Sequence, residues 1–577
     1  MAEITAPEYI SPYVVTVSGG LVLDRDVYTM PVGAATILQN FEPSVKGGYR
    51  RLSGTAKYDA NLLGGATDTV LGVAIFADKV IAASGTIVQE SSGSGWSSID
   101  TGRTSAGRYR FEEYNFTTNE NRLIFADGAN FASFYNGTTV VDIKGSTTIS
   151  ATGSASGSST SLSVTSAAGI AEGMYIGGTN IGSGAKVSSV SGTTITMSVA
   201  TTGTISSASV TFAGLGTSPT NPSMVAAFKN HMFYAGMSAE PNTIIFSALG
   251  DENDFTTSNG AGSLNVDSTI VAIKSFRESL MIFCEDRIYK LTGNALADFK
   301  IEPVSRNVGC SDAFSVQEIG GDILFLAPDG LRTVAGTARI GDVELGTVSK
   351  QIQDRINDIG FDNVSSVVIR GKSQYRLFFP TTGGLETSAK GLIGVLKSNP
   401  QGQLGWEYSD IRGLKPSCCV SGFVSGTETV IHGGYDGYVY KQESGNTFAG
   451  TAMTALYRSP DLTMGDAGIR KTMQRINVNY DPEGAVNVSL FVKYDFEDAG
   501  TPQPSAYTLT TANTAAVYGS SATLYDSAVY GAEGMPIVRQ SVEGSGFTVV
   551  IRLTDTSSNP PITLKGFELE FTPGARM

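Results

Sequence analysis

Histidine, tryptophan and cysteine are scarce in this 577-residue chain, at two, two and four copies. His231 and His432 lie far apart, and no H-E-x-x-H, C-x-x-C, G-x-S-x-G, Walker A or G-x-G-x-x-G string is present. Cys284, Cys310, Cys418 and Cys419 have no metal-ligand spacing and read as thiols of a reduced, cytosolically made protein. No apolar run reaches the roughly 18 residues of a membrane span, so none is expected. The opening MAEITAPEYISPYVVTVSGG lacks a basic segment followed by an apolar one, so no secretory signal is expected either. Charged residues make up only 16%, and 54 acids against 40 bases leave a net charge of −14. Duplex binding rests on neutralising phosphates, so this balance argues against tight general DNA binding. It leaves room for a protein built to let DNA pass without sticking.

The same scarcity limits the chemistry. His231, in FKNHMFYAG, reads as a partly buried turn histidine. A sialidase-type fold would repeat S-x-D-x-G-x-x-W turns, but Trp96 in SSGSGWSS and Trp406 in GQLGWEYS lack that pattern. A single Asp-Gly turn offers too few oxygens for calcium. No catalytic, cofactor or metal residue is therefore assigned, and the chain is expected not to be an enzyme.

What the chain has is glycine, 68 copies, and recurring short runs of Ser, Thr, Val and Tyr that favour strands and turns. Its length suggests about two to four domains. An apolar strand, a tight turn with Asp or Gly and a second apolar strand return repeatedly, as in VLGVAIFADKVIAAS, NRLIFADGANFASFYNG, GDILFLAPDGLRTVAG and TVIHGGYDGYVYKQESG. The turn acids are Asp127, Asp286, Asp329 and Asp436, and 43 residues separate Asp286 from Asp329. That is near the ~40–50-residue period of propeller blades, and radial repetition removes exposed sheet edges. The longer step from Asp127 to Asp286 fits two blades and an insert. Between Ser146 and Val210 the only charged residues are Glu172 and Lys186, and SLSVTS and TTITMSV alternate around Gly-rich turns.

The expected fold is all-β: a β-propeller with a small inserted β-sandwich and a C-terminal β-rich domain. Residues 1–145 are the N-terminal segment and first blades, and 146–213 are the Ser/Thr/Gly-rich insert. The remaining blades occupy 214–450, and a C-terminal β-sandwich or extension occupies 451–577. One helix is expected at 347–360 (TVSKQIQDRINDIG), capped by Ser349, striped by Ile352, Ile356 and Ile359 and stopped by Gly360. Ala-Val-Tyr-Gly occurs at 516–519 and 528–531 in a Tyr-rich stretch that reads as a contact-bearing loop.

One early stretch, NFEPSVKGGYRRLSGT, sets Lys46, Arg50 and Arg51 beside a Gly47-Gly48-Tyr49 turn. A basic cluster can be a phosphate or nucleic-acid site, or the polar edge of a hairpin whose glycines supply positive φ; the turn chemistry favours the hairpin. The stretch from Ser18 to Thr55 resembles the start of the tail nozzle (tail tubular protein B) family of short-tailed bacteriophages. The matches are Gly19, Gly20 and Leu21, Pro31, Gly33 and Ala34, Asn40, Phe41 and Glu42, and Gly47 to Arg51. SPDLTMGDAGIRKTMQRINVNYDPEG (459–484) and the closing KGFELEFTPGARM are similar to late segments of that family. The insert lies outside this likeness and resembles decoration domains of phage virion proteins. The resemblance implies a virion structural protein, assembled in the host cytoplasm. It would form a homohexameric tube below the portal and adaptor, meet tail fibres or tail-tip proteins, and hold and conduct double-stranded genomic DNA during ejection. The alternative is a receptor- or carbohydrate-binding virion protein of the fibre or spike type.

Overall fold

The computed structural model describes residues 11–576 apart from 46, 106, 117–119, 145–147, 171, 214, 217, 336–346, 358–362, 380–389, 399–403 and 512–536. The fold is all-β. Its middle is a series of antiparallel meanders, each made by apolar strands reversed through tight turns. Four-stranded sheets occupy 70–101, 110–142, 224–265 and 270–305, and a three-stranded sheet occupies 317–333. A further sheet, Cys418–Val424, Thr427–Gly433 and Val439–Gln442, takes its next strand, Thr55–Lys57, from near the start of the chain. Asp127, Asp286, Asp329 and Asp436 all lie in the turn between second and third strands of their sheets. There their carboxylates hold the turn: Asp127 accepts from the Ala129 and Asn130 amides, and Asp436 from the Tyr440 hydroxyl.

The first strands of these sheets touch in sequence. Val70–Phe76 meets Arg110–Tyr114, which meets Met224–Phe228, which meets Ile270–Phe276. Gln317–Ile319 meets Ser365–Ile369, which meets Cys418–Val424, and that strand returns to Val70–Phe76. Separate apolar clusters fill the gaps between neighbouring sheets, for example Phe233, Phe246, Ile282 and Leu291 between 224–265 and 270–305.

The two ends of the chain form one layered unit. A seven-stranded sheet joins Ser11–Thr16, Phe41–Pro43 and Tyr49–Arg51 to Ile562–Arg576, Ile469–Pro482, Ile537–Ser541 and Ser545–Gly546. A nine-stranded sheet runs from Ser365–Ile369 through Leu404–Arg412 and Ile37–Gln39 to Val549–Asp555 and Tyr507–Thr511. Val486–Tyr494 shows the expected alternation, burying Val486, Val488, Leu490, Val492 and Tyr494. They join Leu38, Phe41, Tyr49, Tyr457, Ile476 and Leu564 in the largest core cluster. The N-terminal strands up to Arg51 thus belong in space with the C-terminal segment, not with the sheets that follow them.

The insert differs from the expected pair of packed layers. Its strands form one six-stranded sheet, and the backbone around 173–176 hydrogen-bonds that around 185–187, joining the two edges of the sheet. Closure removes the free edges and encloses a core of Leu162, Ile176, Ile195, Val210 and Phe212. Thr148 and Ala213 are paired between the insert's first and last strands, Thr148–Ala155 and Ile205–Ala213, so the segment leaves and re-enters the chain at one point.

The helix expected at 347–360 is shorter than its pattern. A 3-10 turn, Lys350–Ile352, runs into α-helical Gln353–Asn357, while Ile359 and Gly360 lie outside the described residues. Ile352 and Ile356 are buried as the stripe requires. Ser349 does not cap it: its hydroxyl accepts from the Leu331 amide of the neighbouring strand, a buried bond that outcompetes the local one. Lys46 and both Ala-Val-Tyr-Gly copies also fall outside the described residues.

Candidate functional site

The Gly-Gly-Tyr-Arg-Arg hairpin, the basic feature the sequence singled out, is built into the framework. Phe41–Pro43 pairs with Tyr49–Arg51, which pairs in turn with Ile562–Arg576. Tyr49 is buried, and its hydroxyl accepts from the Gly20 amide and donates to the Gly33 carbonyl. Arg51 is buried against Asp555 at 3.1 Å and donates to the carbonyls of Asn559 and Ser557 at 2.5 and 2.6 Å. Burial pulls the Arg51 guanidinium below its usual pKa, and Asp555 opposes that pull. Arg50 bridges Glu42 and Glu483. Neither arginine is left free for phosphate.

Glu42, from the same hairpin, organises a second buried network. It accepts from Lys372, Gln374 and Arg376, at 2.6, 3.0 and 3.2 Å. Arg376 also donates to Gln442 and Glu443. Burial works against the Glu443 charge, but Arg376 and Lys372 outweigh it and hold the carboxyl well below its usual value. His432 packs over the Tyr440 ring at 5.1 Å, and burial, with Arg376 nearby, pulls its imidazole down to about 3. It stays neutral at any ordinary pH. His231 is buried as well, more deeply than a turn histidine: its Nδ1 lies 2.6 Å from the Ser247 carbonyl and its ring meets Phe246 edge-on.

At the centre of the first strands lies a cavity of about 660 Å³, whose wall includes Arg110, Glu112, Lys274, Phe314, Ser366 and Cys419. Arg108 and Arg110 both lie over the Phe314 ring, at 3.6 and 3.9 Å from its centroid. Burial raises the Glu112 carboxyl, opposed by Lys274. Sequence reading passed over this pair; the signal was present in RYRFEEY, where charges recur on an otherwise apolar strand start. No group of three or more His, Cys, Asp or Glu side chains is placed to hold a metal ion among the described residues. The four cysteines are free thiols, and burial pushes those of Cys284 and Cys310 up to about 12. No helix among the described residues is long and apolar enough to cross a membrane.

A polar seam joins the insert to the sheet at 110–142 and its neighbour. Arg122 pairs with Glu120, Glu172 and Glu252, Lys186 pairs with Asp251 at 3.2 Å, and Asn253 donates to the Glu172 carbonyl at 2.7 Å. The insert's two charged residues, Glu172 and Lys186, are thus its docking contacts.

No protein-family model matches the chain. No curated protein matches it either. Among solved structures it is similar to the computationally designed Ika8 protein, at 13% identity and a TM-score of 0.32 over 67% of this chain and 99% of that one. It is similar to Saccharomyces cerevisiae Sqt1 at 11% identity and a TM-score of 0.34, over 68% and 98% of the two chains. An ancestral GH74 enzyme gives 9% identity and a TM-score of 0.28, over 69% of this chain and 49% of that one. At such scores none of the three bears on what this chain does.

Proposed function

We propose that this chain is a structural tail nozzle protein of a short-tailed bacteriophage, forming a hexameric tube below the portal and adaptor that retains genomic DNA and conducts it during ejection. The observation that carries this reading is the place of the residues that resemble the nozzle family. Leu21, Asn40, Phe41, Glu42, Tyr49 and Arg51 are all buried; Tyr49–Arg51 pairs with the closing strand, Arg51 meets Asp555, and Leu21, Asn40 and Glu42 bond to residues of 372–454. A motif for catalysis or ligand capture would face a cleft; this one is buried framework, which supports a structural role. We read the sheets whose first strands meet in order as the blades of a β-propeller, with Thr55–Lys57 completing the last blade from the other end of the chain. The central cavity is too small for a duplex, so DNA would pass between subunits, along a lumen that is mainly acidic and polar.

Negative-stain images of the purified protein test the reading: six-fold rings are expected, whereas rods or particles that never form rings would overturn it. Duplex binding gives an independent measurement. A conduit with a net charge of −14 per subunit should bind DNA weakly and with little dependence on salt. Tight binding that collapses between low and physiological salt would mean a basic DNA-tracking surface instead.

A further inference from the structure

The two arginines over Phe314 are treated differently by their surroundings. Arg108 donates to the Val364 and Ser417 carbonyls, both at 2.8 Å, and so staples three parts of the ring together. Arg110 donates no side-chain hydrogen bond among the described residues, and its Nη2 is sealed from solvent without a partner. The carboxylate that acts on both is Asp312, whose oxygens already accept from the Phe314 and Val364 amides, at 2.6 and 3.3 Å. Glu112, on the same strand as Arg110, faces the Ala227 amide, and Glu113 pairs with Asn121. Neither forms an ion pair with Arg110 among the described residues.

Two guanidinium groups against one carboxylate leave the cluster with one uncompensated positive charge. Burial lowers Arg110 to about 10, with Asp312 opposing, so it is still protonated at neutral pH. A desolvated cation with an unmet donor is costly unless something pairs with it. Here the unmet donor belongs to a residue that lines a cavity of about 660 Å³, whose wall also carries Lys274, Glu112 and Glu113, while the Ser365 and Ser366 hydroxyls there already donate to the Pro416 and Phe314 carbonyls. A guanidinium whose central carbon lies 3.9 Å over an aromatic ring keeps N–H groups of the kind that bind carboxylate and phosphate oxygens.

We propose that the central cavity is a binding site for a small oxyanion, a phosphate or carboxylate group, held by Arg110 on the face of Phe314. Calorimetric titration of the full chain with inorganic phosphate and with acetate, in a chloride background of constant ionic strength, tests this. At least one probe should bind one-to-one, and which one binds separates a phosphoryl from a carboxylate ligand. Arg110→Gln should weaken that binding about tenfold or more, while Arg25→Gln, at an exposed position, should leave it unchanged. Asp312→Asn keeps the acceptor for the Phe314 amide but removes the one opposing charge, so it should tighten binding. If Arg110→Gln loses its cooperative melt, the Asp312→Asn affinity decides. Absence of binding by wild type to either probe, binding unaffected by Arg110→Gln, or an Asp312→Asn affinity equal to wild type would each overturn the proposal.

Discussion

Arg51 Nε stands 3.1 Å from Asp555 Oδ2 with both side chains sealed from solvent, so a residue of the first hairpin is locked to one near the end of the chain. Removing one partner of such a pair strands a buried charge, at a cost of about 3–5 kcal/mol. Asp555→Ala and Arg51→Met should each lower unfolding free energy by about that amount in urea titrations. The double variant Arg51→Met/Asp555→Leu should recover much of the loss, because no unpaired charge remains. Single variants within 1 kcal/mol of wild type would show that the pair does not hold the two ends together.

The two glycines of the same hairpin should behave differently. Both have positive φ, +92° at Gly47 and +79° at Gly48. A Cβ at Gly47 meets nothing within 4 Å, whereas one at Gly48 would lie 2.2 Å from the Leu564 carbonyl oxygen. Gly47→Ala should cost only about 1 kcal/mol, the penalty of the left-handed backbone. Gly48→Ala should cost clearly more, since the backbone of the closing strand must move. Equal losses in thermal melts would remove the close approach as the cause.

Replacing 148–213 by a short Gly-Ser linker should leave a folded, cooperative remainder. The ends of the excised segment are paired neighbours, and its core is its own. Arg122 loses Glu172 but keeps Glu120 and Glu252. An insoluble product, or one without a cooperative melt, would mean that the insert supports the sheets it is docked on.

His432 makes stability depend on pH in a defined direction. Its folded pKa, about 3, lies below the ordinary 6.5, so below pH 6.5 the unfolded chain takes up a proton that the folded one refuses. The stability due to the neutral imidazole is therefore complete above pH 6.5 and is lost as pH falls toward 3, with a slope approaching about 1.4 kcal/mol per pH unit. His432→Gln should remove one proton's worth of that slope when urea midpoints are followed between pH 7 and pH 4. An unchanged slope would place the acid sensitivity elsewhere.

Local pattern was enough for much of this protein. Short continuous apolar runs around Asp or Gly turns specify antiparallel meanders because strands buried on both faces need apolar residues throughout, and those turn residues accept the reversal at low cost. The insert's near absence of charge was legible in the sequence, because a segment with its own core needs charged residues only where it docks, at Glu172 and Lys186. What local pattern lacks is the identity of partners distant in the chain. That Ser349 serves Leu331 and not its own helix, that the insert's edges meet, and that Thr55–Lys57 pairs with Val439–Gln442 depend on which strands come to lie together. The arginines follow the same rule. Arg50 and Arg51, read as the polar edge of a hairpin, are consumed by Glu42, Glu483 and Asp555, while Arg110 drew no notice and lines the central cavity with an unmet donor. A sequence counts the charges, but only the tertiary structure pairs them, because Coulomb energy and desolvation depend on distance and burial, and neither is local in the chain.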